Sequence, residues 1–142
     1  MNEINKKSRA DGQVTGLAGE FFVAAELLKR GLQTSVTFGN AKAIDLLAHN
    51  PSTGQNFTVQ VKSLRNVNYF PIRPSSVREN HIYVFVLLNN PGQSVQYYIV
   101  PGDVLVRDQA RFGKEFQHPT FPGIHPKMLH EYEDAWHHFG LL

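Results

Sequence analysis

The sequence predicts an α/β fold in which a mixed central β-sheet is flanked by helices, on three observations. A long helical pattern comes first, a run of β-type segments follows, and helical patterns close the chain. HIYVFVLL (81–88) is nearly all apolar and β-rich, the signature of a strand covered on both faces inside a sheet. With 42% hydrophobic and only 18% charged residues, the 142-residue chain has the composition and length of one folded domain.

The elements follow in order. Residues 1–11 are polar and basic and read as a flexible arm, with 1–142 as a single domain. From about Gly12 to Arg30 the pattern is helical, with Lys29 and Arg30 in the last turn and Gly31 as the C′ stop. Wound at about 100° per residue, Leu17, Phe21, Ala24, Leu27 and Leu28 form an apolar arc opposite Thr15, Glu26, Lys29 and Arg30. Short strands are expected near Thr34–Phe38 and Ala43–Ala48. The cluster NPSTG (50–54) is a turn, and Phe57–Leu64 is a third strand, making a hairpin with the second. Residues 65–80 are irregular, with room for a turn of helix. After the strand at 81–88 and the turn NNPG, a further strand is expected at Val95–Val100. Pro101 and Asp103 mark a helix start. A terminal helix is expected over Met128–Phe139, packed by Leu129, Tyr132, Ala135, Trp136 and Phe139, with Glu131, Glu133 and Asp134 solvated.

Composition narrows the function classes. There is no cysteine, hence no disulfide framework and no thiolate chemistry. No apolar run is long enough to span a membrane and the start lacks the apolar core of a signal peptide, so a cytoplasmic location is the default. The net charge is +2, unevenly spread. Residues 1–80 carry ten Lys/Arg against six Asp/Glu, a net +4; residues 81–142 carry four against six, a net −2. The basic half favours a polyanionic partner on that side. His118, His125, His130, His137 and His138 crowd the last quarter, but their spacing lacks the tight pairs of a zinc site.

Three charged residues stand in apolar places. Glu20 lies inside the apolar arc, where a carboxylate must be paired, protonated or bound to a metal. Asp45 interrupts IDLLA, although Asp is disfavoured in strands. In FTVQVKS (57–63), Gln60 and Lys62 share one face, and the hairpin brings Asp45 near both. Each has a plainer meaning alone: a Glu20 that reaches water, a structural Asp45–Lys62 bridge, a solvated strand face.

Their order and spacing carry more. Gly19-Glu20 followed by the helix to Gly31, then Ile44-Asp45-Leu46-Leu47-Ala48, then Val59-Gln60-Val61-Lys62-Ser63 resembles the PD-(D/E)xK nuclease superfamily. That group includes restriction endonucleases, Holliday-junction resolvases and homing-type enzymes. The resemblance covers roughly residues 12–64 and continues over 81–100 in pattern only. Two positions depart from it: Gln60 stands where the family has an acid, and Ile44 where it has proline before the Asp.

The resemblance implies a restriction-endonuclease-like core and metal-dependent hydrolysis of DNA at Glu20, Asp45, Gln60 and Lys62. It implies Mg²⁺, with Mn²⁺ as a substitute, held by Asp45, the Gln60 amide oxygen, the Val61 carbonyl and Glu20. Lys62 would orient the attacking water. Ser63, Arg65, Asn68, Tyr69, Arg73 and Arg78 form a basic, polar and aromatic stretch suited to contacting duplex or branched DNA. Lys6, Lys7 and Arg9 could reach its backbone as well. Cutting both strands needs two sites, hence a homodimer. A chain this short leaves targeting to DNA structure or to a protein partner. Two other readings stand beside this one: a non-catalytic nucleic-acid-binding module that kept the fold, which Gln60 would suit, and a structural domain with an Asp45–Lys62 bridge.

Overall fold

The computed structural model describes residues 2–37 and 44–141. Its long helix, α1, runs Asn2–Lys29 and stops at Gly31, whose φ is +93°. The Gly31 N–H donates to the Leu28 carbonyl and the Leu32 N–H to the Leu27 carbonyl, both at 3.0 Å. That pair of bonds needs a left-handed residue, a conformation glycine adopts without a Cβ clash. The segment expected to be a loose arm is therefore helical from Asn2. It is built of polar helix formers and carries no apolar stripe to signal a helix. The side chains of Lys6, Lys7 and Arg9 lie outside the described residues, as do Phe38 and Ala43.

Among the described residues the strands are β1 (Gln33–Val36), β2 (Leu46–His49), β3 (Asn56–Leu64), β4 (Phe70–Pro71), β5 (His81–Leu87), β6 (Gln96–Pro101) and β7 (Gly123–Ile124). Five of them form a mixed sheet in the order β1-β2-β3-β5-β6. β3 and β5 run parallel, from Thr58 beside His81 to Leu64 beside Leu87; the other neighbours are antiparallel. β4 and β7 make a separate two-stranded sheet. The short helix α2 (Gly102–Arg107) follows β6 directly, as Pro101 and Asp103 led one to expect.

Each face of the sheet is covered. On one side Val23 and Leu27 of α1 pack with Leu46, Val59, Val84, Val86 and Ile99, joined by Trp136 and Phe139. On the other, Phe70, Tyr83, Phe85, Leu105, Phe112, Phe116 and Leu129 form a second, aromatic layer. β5 contributes to both layers and every one of its residues is buried.

Two expectations are corrected. The face of α1 that meets the sheet carries Thr15, Gly19, Val23, Ala24 and Leu27, while Leu17, Phe21 and Leu28 are exposed. Beside the polar face the helix offers Leu17, Phe21 and Leu28 as well as Val23 and Leu27, so two stripes compete. Gly19 decides between them, because a Cβ there would sit 2.9 Å from the Ser63 Cβ. The helix comes closest to β3 where it has no side chain.

The second correction concerns the terminal helix. Residues Pro126–Tyr132 and Trp136–Phe139 are two 3₁₀ segments, parted at Asp134, whose φ is +53°. The Asp134 N–H bonds instead to the Tyr97 carbonyl of β6 at 2.9 Å, which turns the chain out of helix. The expected packing stripe survives: Leu129, Tyr132, Ala135, Trp136 and Phe139 are all buried, with Glu131, Glu133 and Asp134 exposed. Among the described residues no helix is long and apolar enough to cross a membrane.

Candidate active site

The site begins where β2 stops pairing with β3. The last ladder pair is Leu46 opposite Val59. One residue earlier, the backbone of Asp45 is pinned from both sides. Its N–H donates to the Val59 carbonyl at 2.9 Å, and its carbonyl accepts from the Thr37 N–H at 3.0 Å. The Thr37 hydroxyl donates to the Ile44 carbonyl at 2.6 Å and holds the approach to this point. Continuing the register one step sets Asp45 opposite Gln60.

Beyond that step β3 keeps β5 on one edge and has no β2 residue on the other. The Val61 N–H on the open edge needs an acceptor, since an unpaired buried amide is costly. The Asp45 carboxylate supplies it: Val61 N–H donates to Oδ2 at 2.7 Å. The carboxylate is thereby fixed over the backbone of β3 with its second oxygen uncommitted to this bond.

Asp45 is the shared neighbour of the other two charged residues. Glu20 comes from α1 and is half-buried; its carboxyl is pushed above the ordinary range by burial first and by the Asp45 charge second. Lys62 is also half-buried, and burial pulls its ammonium below the ordinary lysine range while the Asp45 charge opposes that shift. Alternation along β3 sends Val59 and Val61 to the α1 side and Leu64 to the other. Lys62 shares the parity of Leu64. It lines a cleft of about 440 Å³ on that side with Tyr69, Pro71, Ile72, Arg73, Thr120, Phe121, Pro122 and Gly123. Glu20 and Lys62 thus approach Asp45 from opposite faces of the sheet, at its open edge.

The donors available for a cation are all oxygens: the carboxylates of Glu20 and Asp45, the half-buried amide of Gln60, and the backbone of Val61. Among the described residues no group of three or more His, Cys, Asp or Glu could hold a metal ion. A cation there would have at most two carboxylates, with neutral oxygens to complete its shell. Hard oxygen donors of modest charge fit a dication such as Mg²⁺ that retains several waters.

The expected DNA-contacting residues divide. Arg65, Asn68, Tyr69 and Arg73 are exposed beyond the Lys62 end of β3. Ser63 is not available: its hydroxyl is shut in beneath Gly19, with no hydrogen-bond partner among the described residues. The same alternation that turns Lys62 outward turns Ser63 under the helix. Arg78 is exposed but lies in the turn before β5, whose Asn80 carbonyl accepts from the Thr58 hydroxyl, at the opposite end of β3 from Lys62.

The loop Thr120–Gly123 forms the far wall of the cleft. The sequence marks it only as an aromatic residue set among His, Pro and Gly. Two of the crowded histidines serve it and its neighbourhood. His118 Nδ1 accepts the N–H groups of Thr120 and Phe121 at 3.1 and 2.9 Å, and His125 Nδ1 accepts that of Lys127 at 3.2 Å.

No family model matches the chain. No curated protein is significantly similar to it. Among solved structures it is similar to a bacterial homing endonuclease, with a TM-score of 0.55 and 17% identity, over 89% of this chain and 91% of that one. At that identity the likeness is one of fold.

Proposed function

We propose that the chain is a metal-dependent nuclease that hydrolyses DNA phosphodiester bonds, a PD-(D/E)xK enzyme with Gln at the third position. One observation carries the reading. Asp45 is anchored on the open edge of β3, with Glu20 and Lys62 both close enough to feel its charge. A structural bridge would need only Lys62; a second, half-buried carboxylate that feels the Asp45 charge opposes folding, and a cation near both would offset that cost. The shared fold with a homing endonuclease supports the same reading.

Asp45 and Glu20 would hold Mg²⁺ or Mn²⁺, with the Gln60 amide oxygen and the Val61 carbonyl as neutral ligands. Such an ion would supply a coordinated water of lowered pKa and offset charge on the phosphate. Lys62 would orient the attacking water and stabilise the negative charge that builds up on the phosphate in the transition state. The Val61 N–H fixes Asp45 in advance, so its carboxylate needs no reorganisation during the reaction. Cleavage of both strands of a duplex requires two copies of the site, which a homodimer supplies.

The test is cleavage of single-stranded, duplex, nicked and branched DNA with Mg²⁺ and with Mn²⁺, comparing wild type with Asp45→Ala. Cutting by wild type alone supports the assignment. DNA binding without cutting under any metal would move the function to a non-catalytic binding module, the reading that Gln60 otherwise suits.

A further inference from the structure

The cleft beside Lys62 has a composition that phosphate binding alone does not call for. Phe121 is 82% exposed and Tyr69 42% exposed, and both line it. Among the described residues that line it, the two charged ones, Lys62 and Arg73, are cations and none is a carboxylate.

The exposed ring of Phe121 is held out by a built loop. Its own N–H and that of Thr120 are taken by His118 Nδ1. Arg73 donates to the Thr120 carbonyl at 3.3 Å, and the Ile72 N–H donates to the Pro122 carbonyl at 3.2 Å. The β4–β7 pair closes the base of the loop, with Pro71 opposite Gly123. Pro119 and Pro122 flank the segment and restrict its backbone further. Tyr69 is braced edge-on against His125, the ring centroids 5.1 Å apart. Two pre-set aromatic faces flanking a cationic cleft make a stacking platform, sequence-tolerant because every base has a π-face.

We propose that this cleft receives a nucleobase drawn out of its stack, with Phe121 and Tyr69 as the stacking surfaces and Arg73 on the neighbouring phosphate. The proposal rests on the nuclease reading for its DNA and narrows the substrate to DNA with an unpaired or easily unstacked base beside the cleaved bond. An intact duplex keeps its bases stacked and must spend unstacking energy to fill the cleft; a bulge, branch or single strand need not.

The experiment uses the full chain with Ca²⁺ in place of Mg²⁺, and duplexes carrying 2-aminopurine either in a one-base bulge or in a matched pair. Wild type is expected to bind the bulged duplex about tenfold more tightly and to change its 2-aminopurine fluorescence. Phe121→Ala should lose that preference while keeping its affinity for the matched duplex within about twofold, and Phe121→Trp, but not Phe121→Leu, should restore it. Leu28→Ala, an exposed apolar truncation on α1, should change nothing. Equal binding of the two duplexes by wild type, or a preference untouched by Phe121→Ala, overturns the subsite. If Asp45-dependent cleavage persists in that case, the nuclease reading stands without it. A Phe121-dependent preference with no cleavage under any metal does the opposite: the subsite stands and the nuclease reading falls. No DNA binding at all overturns both.

Discussion

Strands β3 and β5 lie side by side in parallel register, with Lys62 next to Phe85, yet they live in different surroundings. β5 has a strand on each edge and a packed layer on each face, and it is apolar throughout apart from His81 at its start. β3 has β5 along one edge, but on the other β2 ends its ladder at Val59. From Gln60 to Leu64 each residue is only half-buried. Gln60 and Lys62 stand on β3 at the point where its second partner leaves. The same backbone geometry serves as a pure core element when closed on every side and can carry an amide and an ammonium when one edge opens.

Breaking the β5 side should cost most in stability. Phe85 is fully buried and packs edge-on against Phe70 at 5.1 Å. Phe85→Ala is expected to lose about 3–5 kcal/mol, read from urea unfolding, with any residual nuclease activity tracking the folded fraction. A loss well under about 1 kcal/mol would mean the aromatic layer is not a true core.

On the β3 side the largest effect should fall on activity instead. Lys62→Met is expected to lower the cleavage rate about 100- to 1000-fold. Its stability should stay level or rise, since burial already disfavours the ammonium. The sign over pH follows. With its folded pKa below the ordinary value of 10.5, wild-type Lys62 binds fewer protons folded than unfolded, so wild type gains stability as pH climbs toward 10.5 and the Met variant loses that gain.

Gln60→Glu sharpens the contrast by adding charge at the open edge. Mg²⁺ affinity, measured by calorimetry, is expected to tighten roughly tenfold. Weaker or unchanged binding would remove Gln60 from the ligand set.

The smallest effect belongs to Glu20. Its raised pKa means the folded state resists ionising it, a penalty absent below the unfolded value of 4.5 and growing as pH rises through the folded value. Glu20→Gln should therefore melt slightly higher than wild type at pH 7 without metal, with the gap closing below pH 4.5. Added Mg²⁺ should raise the melting temperature of wild type more than that of the variant.

What could be read from the sequence follows the same division. β5 and the stop at Gly31 were legible because one force dictates each: burial on both faces, and the need for a left-handed residue. Asp45 was legible as a charge inside an apolar strand, and Gln60 and Lys62 as an amide and an ammonium that share one strand face. The working face of α1 was not, because Leu17, Phe21 and Leu28 compete with Val23 and Leu27 for the sheet. A tertiary contact, Gly19 over Ser63, settles that competition. The aromatic loop at 120–123 was missed for a related reason. Phe121 gains its meaning from Lys62, nearly sixty positions earlier, and no local pattern links them.

Asn50 carries a consequence for the order in which the molecule comes into being. Its buried amide donates to the Phe139 carbonyl at 2.9 Å and to the Gly140 carbonyl at 3.3 Å, while its Oδ1 accepts from the Ser52 N–H at 2.9 Å. The turn of the hairpin that bears Asp45 and Gln60 is thus clasped by residues some ninety positions later. During translation the clasp reaches its partner roughly 75 residues after Leu64, a wait on the order of 4–15 s at the usual rate of synthesis. Through that interval the nascent hairpin has its charged residues but not its lock, so its final anchoring is a late, long-range event rather than a local one.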